Sequence, residues 1–132
     1  MLGFKFVRVI GDSMEPALKN NNILILKTRF RKSSLKKNDI VAFKSPLNGT
    51  MILIKRIVAT PGEFIQIYSN NEIRINKSPD FHQLDTSWIE FEWDLLDDQY
   101  VVLGDNTSHS QDSKTFGPIT FDSITGKVIR KL

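Results

Sequence analysis

The sequence contains no cysteine, and this absence excludes disulfide bonds, thiolate zinc sites and a cysteine nucleophile. Histidine is scarce as well: only His82 and His109 are present, so a histidine metal site or a Ser-His-Asp triad has few candidates. Long apolar runs are also missing. The longest pieces, at 23–26 and 51–54, fall far short of the roughly 18 residues of a membrane span. We therefore expect no metal, no other cofactor and a chain that is soluble as written.

The remaining composition is that of an ordinary globular protein, with 40% hydrophobic and 25% charged residues in a chain of 132. Short apolar segments separated by turn residues indicate β-strands rather than helices. Length and pattern together predict a single compact all-β domain over 1–132, made mostly of antiparallel strands with little helix.

The predicted strands lie at 4–10, 23–26, 39–44, 51–60, 63–68, 72–76, 89–95, 100–103 and 126–130. We also expect a single helical turn at 17–19 and loops at 77–87 and 104–117. In the first strand, Phe4 and Phe6 alternate with Lys5 and Arg8, which is typical of a strand with one buried face.

Charge is unevenly distributed, although the net charge is only +3. A basic run contains Lys27, Arg29, Arg31, Lys32, Lys36 and Lys37. A later acidic run contains Asp80, Asp85, Glu90, Glu92, Asp94, Asp97 and Asp98. The two runs are either solvated faces, or the basic run contacts anionic lipid. Nucleic acid is not an expected partner, because few aromatic residues lie near the basic run for stacking on bases.

The first segment with chemical potential is 11–16, which reads GDSMEP and contains Ser13. Gly11 permits backbone angles that other residues avoid, and Pro16 restricts the residue before it. Met14 can serve as an apolar plug against one wall of a groove. By itself the segment is more typical of a turn between two strands, so its interpretation as a catalytic segment depends on residues further along the chain.

The second segment is the strand at 51–60, where Lys55 shares one face with Leu53 and Ile57. Both faces of this strand are apolar, which predicts a central position in the sheet. Burial disfavours the charged form of a lysine and lowers its pKa, and a neutral amine is a general base. Within reach of Ser13 it would activate the hydroxyl as a nucleophile. The alternative is that Lys55 extends to solvent or pairs with a carboxylate.

The third segment is the loop at 104–114, whose polar density exceeds that of a simple connection. Its hydroxyls could hold a neutral lysine amine, and its carboxylates could anchor Arg56 or Lys114. The alternative is a hydrophilic surface loop with side-chain-capped turns.

Together these segments resemble the type I signal peptidases, which are membrane-associated serine-lysine endopeptidases. The matching positions occur in the family's order: Ser13, Met14, Pro16 and Leu18, then 39–41, then 55–58 with 61–63, then 104–106, Ser110, 112–113 and 116–117. The resemblance implies that Ser13 is the acylating nucleophile and Lys55 its general base. It also implies that Ser110 orients the lysine amine.

The other residues implied by the resemblance surround this pair. Gly11, Asp12, Met14 and Pro16 are expected at the oxyanion hole and substrate groove, where the backbone N–H of Ser13 would be one donor. Some members add a serine hydroxyl two residues before the nucleophile; this chain, like other members, lacks that donor because the position is Gly11.

The remaining supporting residues belong to the lysine strand and the last loop. Asp112 and Arg56 are expected to brace the site, together with Asp105. Lys114 stands where the family usually has arginine, so it keeps the charge but loses bidentate pairing with Asp112.

The resemblance implies a protein or peptide substrate with an N-terminal leader and small residues at P1 and P3, with peripheral membrane contact possible. Typical members carry membrane spans before the serine box, but only ten residues precede Gly11 here. The chain would then be either a fragment of an anchored enzyme at the outer face of the cytoplasmic membrane, or a complete cytoplasmic protease. The second kind includes enzymes that trim the leader of nickel-type superoxide dismutase. Other hypotheses are a non-catalytic peptide- or protein-binding β-domain and a self-cleaving regulator domain.

Overall fold

A computed structural model describes residues 3–76 and 87–132 of the chain. The described strands are β1 (Phe4–Arg8), β2 (Ile23–Lys27), β3 (Ile40–Lys44), β4 (Ile52–Ala59), β5 (Phe64–Tyr68), β6 (Ile73–Ile75), β7 (Ile89–Asp94), β8 (Gln99–Leu103), β9 (Ile119–Thr120) and β10 (Ile124–Lys131). One α-helix, α1 (Ser113–Phe116), and two 3-10 turns (Lys32–Ser34 and Phe121–Ser123) complete the regular structure of this part. The prediction of an all-β fold with little helix is confirmed.

The strands form two sheets in which neighbours run antiparallel, as predicted. The larger sheet has seven strands in the order β1-β2-β10-β3-β4-β8-β9, and the smaller has the order β6-β5-β7. Strand β4 lies inside the larger sheet, because β3 pairs along one edge and β8 along part of the other. The central position predicted from its two apolar faces is therefore confirmed.

Three hydrophobic clusters hold the sheets together. One is centred on β3, β4 and β8 and includes Phe43, Ile57 and Tyr100, all almost fully buried. A second lies under β5 and includes Ile65. The third contains residues of β2 and of the segment after β1, among them Met14. This third cluster supports the segment that carries Ser13.

Strand β1 differs from the prediction, because the side chains of Phe4 and Phe6 are 56% and 67% exposed. The strand forms at the expected place, and Val7 and Val9 supply its inward contacts. Alternation identifies the two faces of a strand but not which of them is covered. As the first strand of the sheet, β1 has a partner along only one edge, and its phenylalanine face remains in solvent.

The connections also differ in detail from the prediction. The expected helical turn lies earlier, since the N–H of Leu18 donates to the carbonyl of Met14 at 2.9 Å. The expected loop at 104–117 contains α1, which begins where the carboxylate of Asp112 accepts from the N–H of Lys114. The loop predicted at 77–87, with His82, falls outside the described residues except at its last position. No helix in the described ranges is long and apolar enough to cross a membrane.

Candidate active site

Ser13 sits at the start of a turn that is anchored from both sides. Gly11 has φ +92°, a conformation that favours glycine, and its N–H donates to Oδ1 of Asn20 at 2.8 Å. Beyond the serine, Met14 and Leu18 are buried in the hydrophobic cluster beneath the turn. The apolar side chains thus fix the turn to the core while the serine stays partly exposed.

Lys55 reaches Ser13 from the middle of β4. Its Nζ lies 2.6 Å from the Oγ of Ser13, and its side chain is buried, with only 3% of the residue exposed. Burial lowers the pKa of Lys55 below its usual value, and the charge of Asp112 opposes that effect. A neutral amine at this distance can accept the hydroxyl proton, so the pair has the geometry of a nucleophile and its base.

Asp112 is the buried centre of the last loop. Its Oδ2 accepts from the N–H of Gly104 at 2.9 Å and from the hydroxyl of Ser110 at 2.7 Å. Its Oδ1 accepts from the N–H of Lys114 at 3.1 Å. A carboxylate with three donors is well satisfied despite its burial.

Ser110 does not make the contact that the resemblance implied. Its hydroxyl hydrogen is used on Asp112, and within the described part of the chain no hydrogen bond joins it to Lys55. Ser110 is nevertheless close to the reactive pair, because a Cβ built on Gly104 would collide with both its side chain and the carbonyl oxygen of Ser13.

The expected bracing contacts form in part, because Arg56 has a carboxylate of the last loop as its partner and Lys114 does not. Arg56 forms a two-point contact with Asp105, with Nε and one terminal nitrogen at 2.9 and 2.8 Å from its carboxylate oxygens. The Nζ of Lys114 lies 2.6 Å from Oδ1 of Asn71, so its side chain turns away from Asp112. The planar guanidinium suits a carboxylate, whereas the single amine of lysine takes a nearby amide oxygen.

Two residues without an assigned role from sequence link the last loop to the serine turn. Asn106 donates its backbone N–H to the carbonyl of Ser13 at 2.9 Å and its side-chain amide to the carbonyl of Asp12 at 3.2 Å. The Nδ1 of His109 lies 3.0 Å from the carboxylate of Asp12, and this hydrogen bond lowers the pKa of Asp12. The signals in the sequence were the polar density of the loop and, for Asn106, its place in the family-like segment 104–106.

A small cavity of about 110 Å³ opens beside the reactive pair. Its lining includes both members of the pair, Met14, and the apolar residues Ile52 and Ile54 of β4. Met14 therefore lines the groove as expected. Gly11, Asp12 and Pro16 lie outside this lining, because the carboxylate of Asp12 faces His109 and Pro16 is exposed beyond the turn.

Comparison with known proteins places these features in context. The family model described as "Signal peptidase, peptidase S26" matches residues 1–131. The chain is 32% identical to signal peptidase I V of Bacillus subtilis, over 92% of this chain and 81% of that protein. It is 31% identical to mitochondrial inner membrane protease subunit 2 of Danio rerio, over 91% of this chain but only 59% of that protein.

A solved structure supports the same grouping. A signal peptidase I from Enterococcus faecalis V583 has a TM-score of 0.55 and 27% sequence identity. The alignment covers 74% of this chain and 97% of that one. The likeness therefore extends from the sequence to the arrangement of the strands.

Proposed function

Because this chain belongs to the signal peptidase family, peptidase S26, we propose that it is a serine endopeptidase that removes an N-terminal signal or leader peptide through a Ser13–Lys55 dyad. The observation that carries the proposal is the 2.6 Å contact between the Oγ of Ser13 and the buried Nζ of Lys55. Residues 1–132 would act as one catalytic domain in this reaction.

The reaction begins when neutral Lys55 accepts the hydroxyl proton as the Oγ of Ser13 attacks the scissile carbonyl carbon. The carbon–nitrogen bond then breaks, and the lysine delivers its proton to the departing amine of the mature product. The leader remains as an ester on Ser13. Water loses a proton to Lys55 and attacks this ester, and the lysine then returns the proton to the departing Oγ, which releases the leader acid and restores the serine hydroxyl.

The negative charge on the carbonyl oxygen needs a donor near the serine. The backbone N–H of Ser13 is suited to this role, because it donates to no other group among residues 3–76 and 87–132. The turn that contains it is fixed by the burial of Met14 and by the hydrogen bond from Asn106 to the serine carbonyl. A donor that is already positioned requires little rearrangement during the reaction.

The substrate would bind as an extended strand between β1 and β4. In the described structure, β1 pairs only with β2, and the Ile52–Lys55 half of β4 pairs only with β3. Both strands therefore offer a free edge for backbone hydrogen bonds to a peptide. The cavity of about 110 Å³ at the dyad has room for a small side chain, which favours cleavage after a small residue.

Peripheral contact with a membrane would fit the exposed apolar residues near this groove. Phe4, Phe6 and Ile10 project from β1 and its extension, with Ile10 81% exposed. An exposed apolar group of this kind is suited to an interface, and a substrate leaving a membrane would reach the groove directly.

The experiment is cleavage of two peptides by the purified protein, with Ser13→Ala and Lys55→Ala as controls. One peptide carries an Ala-X-Ala export site and the other the leader junction of a nickel superoxide dismutase. Cutting of only the first by the wild type indicates a general signal-peptidase activity, and cutting of only the second indicates a dedicated maturation protease. Normal cutting by Lys55→Ala would refute the dyad.

Failure to cut either peptide, combined with binding of one of them, would favour a peptide-binding β-domain. Self-cleavage is tested separately by the intact mass of the wild type during prolonged incubation. A mass that stays constant while added peptide is cut excludes a self-processing regulator.

A further inference from the structure

A second, larger cavity of about 430 Å³ continues from the small cavity at the dyad. The two share Arg8, Ile52 and Ile54, so they form one groove along the beginning of β4. Leu26 and Ala42, both buried, also line the larger cavity. The groove is therefore apolar along its base beyond the position of the scissile bond.

The walls of this larger cavity are basic. Lys5, Arg8 and Lys44 line it, all three are exposed, and the lining contains no acidic residue. In the described part of the chain, none of these side chains has a hydrogen-bond or ion-pair partner. Three unpaired cations around an apolar groove produce a positive potential where a bound peptide would lie.

The position of these cations relative to the dyad follows from strand register. Lys44 pairs with Ile52, three residues before Lys55 on β4, which corresponds to about 10 Å along the strand. If the P1 residue lies beside Lys55 and P3 lies toward the adjoining cavity, the leader passes over Ile52. The residue beside Lys44 is then about four to six positions upstream of the scissile bond.

From this arrangement we infer that the leader cut by this protein carries an acidic side chain four to six residues before the cleavage site, held by Lys5, Arg8 and Lys44. The inference rests on the proposed function and specifies its substrate class. The apolar base of the groove accepts the small and aliphatic leader residues, while the basic walls select the acidic one.

For Lys5, a leader is a better fit than a lipid surface. Lys5 and Val7 share one face of β1, and both line the cavity. Phe4 and Phe6 occupy the opposite face, which is the face suited to a membrane. Lys5 is thus directed toward the groove and away from the exposed apolar surface.

The test compares three peptides that differ at one position, with Glu, Gln or Lys five residues upstream of a cleavable junction. We expect kcat/KM for the Glu peptide to exceed that for the Gln peptide about threefold to fivefold at low salt, the upper range for an exposed ion pair. The Lys peptide should be the poorest substrate. Added salt should reduce the preference, because these charges are exposed.

Variants locate the preference. In Lys5→Gln/Lys44→Gln the ratio of Glu to Gln cleavage should approach one, and in Lys44→Glu it should fall below one. Lys32→Gln/Lys36→Gln, which removes two charges at exposed lysines outside the cavity, should keep the wild-type ratio. Equal cleavage of the Glu and Gln peptides by the wild type, or an unchanged ratio in the double variant, would overturn the inference.

Two further measurements separate the alternatives. If the wild type cleaves none of the peptides, the proposed function fails. The affinities of Ser13→Ala for the Glu and Gln peptides can then be compared, and they still test the charge preference. If the double variant loses binding to phosphatidylglycerol vesicles while the peptide ratio is one in the wild type, the cations contact lipid and the inference is wrong.

Discussion

The backbone N–H of Asn106 donates a hydrogen bond of 2.9 Å to the carbonyl oxygen of Ser13, joining two loops that are 93 positions apart in the sequence. The side-chain amide of the same residue holds the carbonyl of Asp12 at 3.2 Å. The serine turn is therefore attached to the last loop by main-chain and side-chain contacts together. The position of Ser13 relative to β4 depends on this attachment.

Replacing Asn106 with alanine removes the side-chain contact to Asp12 and keeps the backbone contact to Ser13. We expect kcat to fall about threefold to tenfold, the range for one hydrogen bond, with KM little changed because Asn106 lies outside the substrate cavity. Steady-state cleavage of a leader peptide measures both values. Asn48→Ala, which changes a side chain that bonds to Thr50 in the β3–β4 turn, should retain wild-type kcat. An unchanged kcat in Asn106→Ala would show that the side-chain contact is dispensable.

Gly104→Ala tests how closely the last loop must approach the serine turn. The added Cβ would collide with the side chain of Ser110 and lie 2.7 Å from the carbonyl oxygen of Ser13. We expect a loss of about 1–3 kcal/mol in the free energy of unfolding and a larger loss of activity, because the collision displaces the serine turn. Chemical denaturation and peptide cleavage measure the two effects.

Gly49→Ala is the matched control, since a Cβ there has no atom of the described residues, apart from its two chain neighbours, within 4 Å. It should change the free energy of unfolding by no more than about 0.5 kcal/mol. Equal stability of the two variants would show that the last loop adjusts more easily than the geometry implies.

Much of the fold could be predicted because period-two alternation and turn residues report local structure. Strand β7 follows this rule from Glu90 onward, with Phe91 and Trp93 partly buried and Glu90 and Glu92 exposed. The two-residue strand β9 was missed because it is too short to show a period. The exposure of Phe4 and Phe6 could not be predicted, since covering of a face depends on which strands are neighbours in space.

In the site, the candidate pair could be predicted from the sequence more completely than the contacts of the supporting residues. Lys55 was identified as a candidate because burying a charged amine on a strand with two apolar faces is energetically costly. The four family-like segments then associated it with Ser13. The partners of the supporting residues were predictable only in part. A carboxylate of the last loop was an expected anchor for Arg56, and Asp105 is that partner. The contact of Ser110 with Asp112 was not expected, because it depends on the conformation of the loop, which no local pattern encodes.

Asp112→Asn should shift the pH dependence of cleavage. The negative charge of Asp112 raises the pKa of Lys55 and partly offsets the lowering caused by burial. Without that charge the amine loses its proton at lower pH, so the rising limb of the pH–rate profile should move toward acid. Maximal activity should also fall, because the amide can replace only part of the three accepted hydrogen bonds.

The exposed Asp122→Asn serves as the control and should leave the rising limb of the profile in place. A limb that stays at the same pH in Asp112→Asn would mean that another group governs the titration. A shift toward alkali would contradict the assigned sign of the interaction.

Lys55→Met tests the cost of burying the amine. Because burial lowers the pKa of Lys55 in the folded state, the unfolded chain binds more protons between that lowered pKa and the ordinary value of 10.5. The free energy of unfolding of the wild type should therefore rise with pH through this window. Below the window, the folded protein buries a charged amine and its stability is lowered by the full free-energy cost of that burial. Lys55→Met lacks the cost, so it should be more stable than the wild type at neutral pH, although its activity should fall at least roughly a thousandfold.

The stability difference between Lys55→Met and the wild type should shrink as pH rises through this window and level off above 10.5, where both the folded and the unfolded lysine are mostly neutral. Thermal unfolding of both proteins over a range of pH measures this difference. Lys36→Met, at an exposed position, controls for the loss of a positive charge as such. A difference in Tm that is constant with pH would mean that methionine acts only through packing, and the lowered pKa of Lys55 would lose its support.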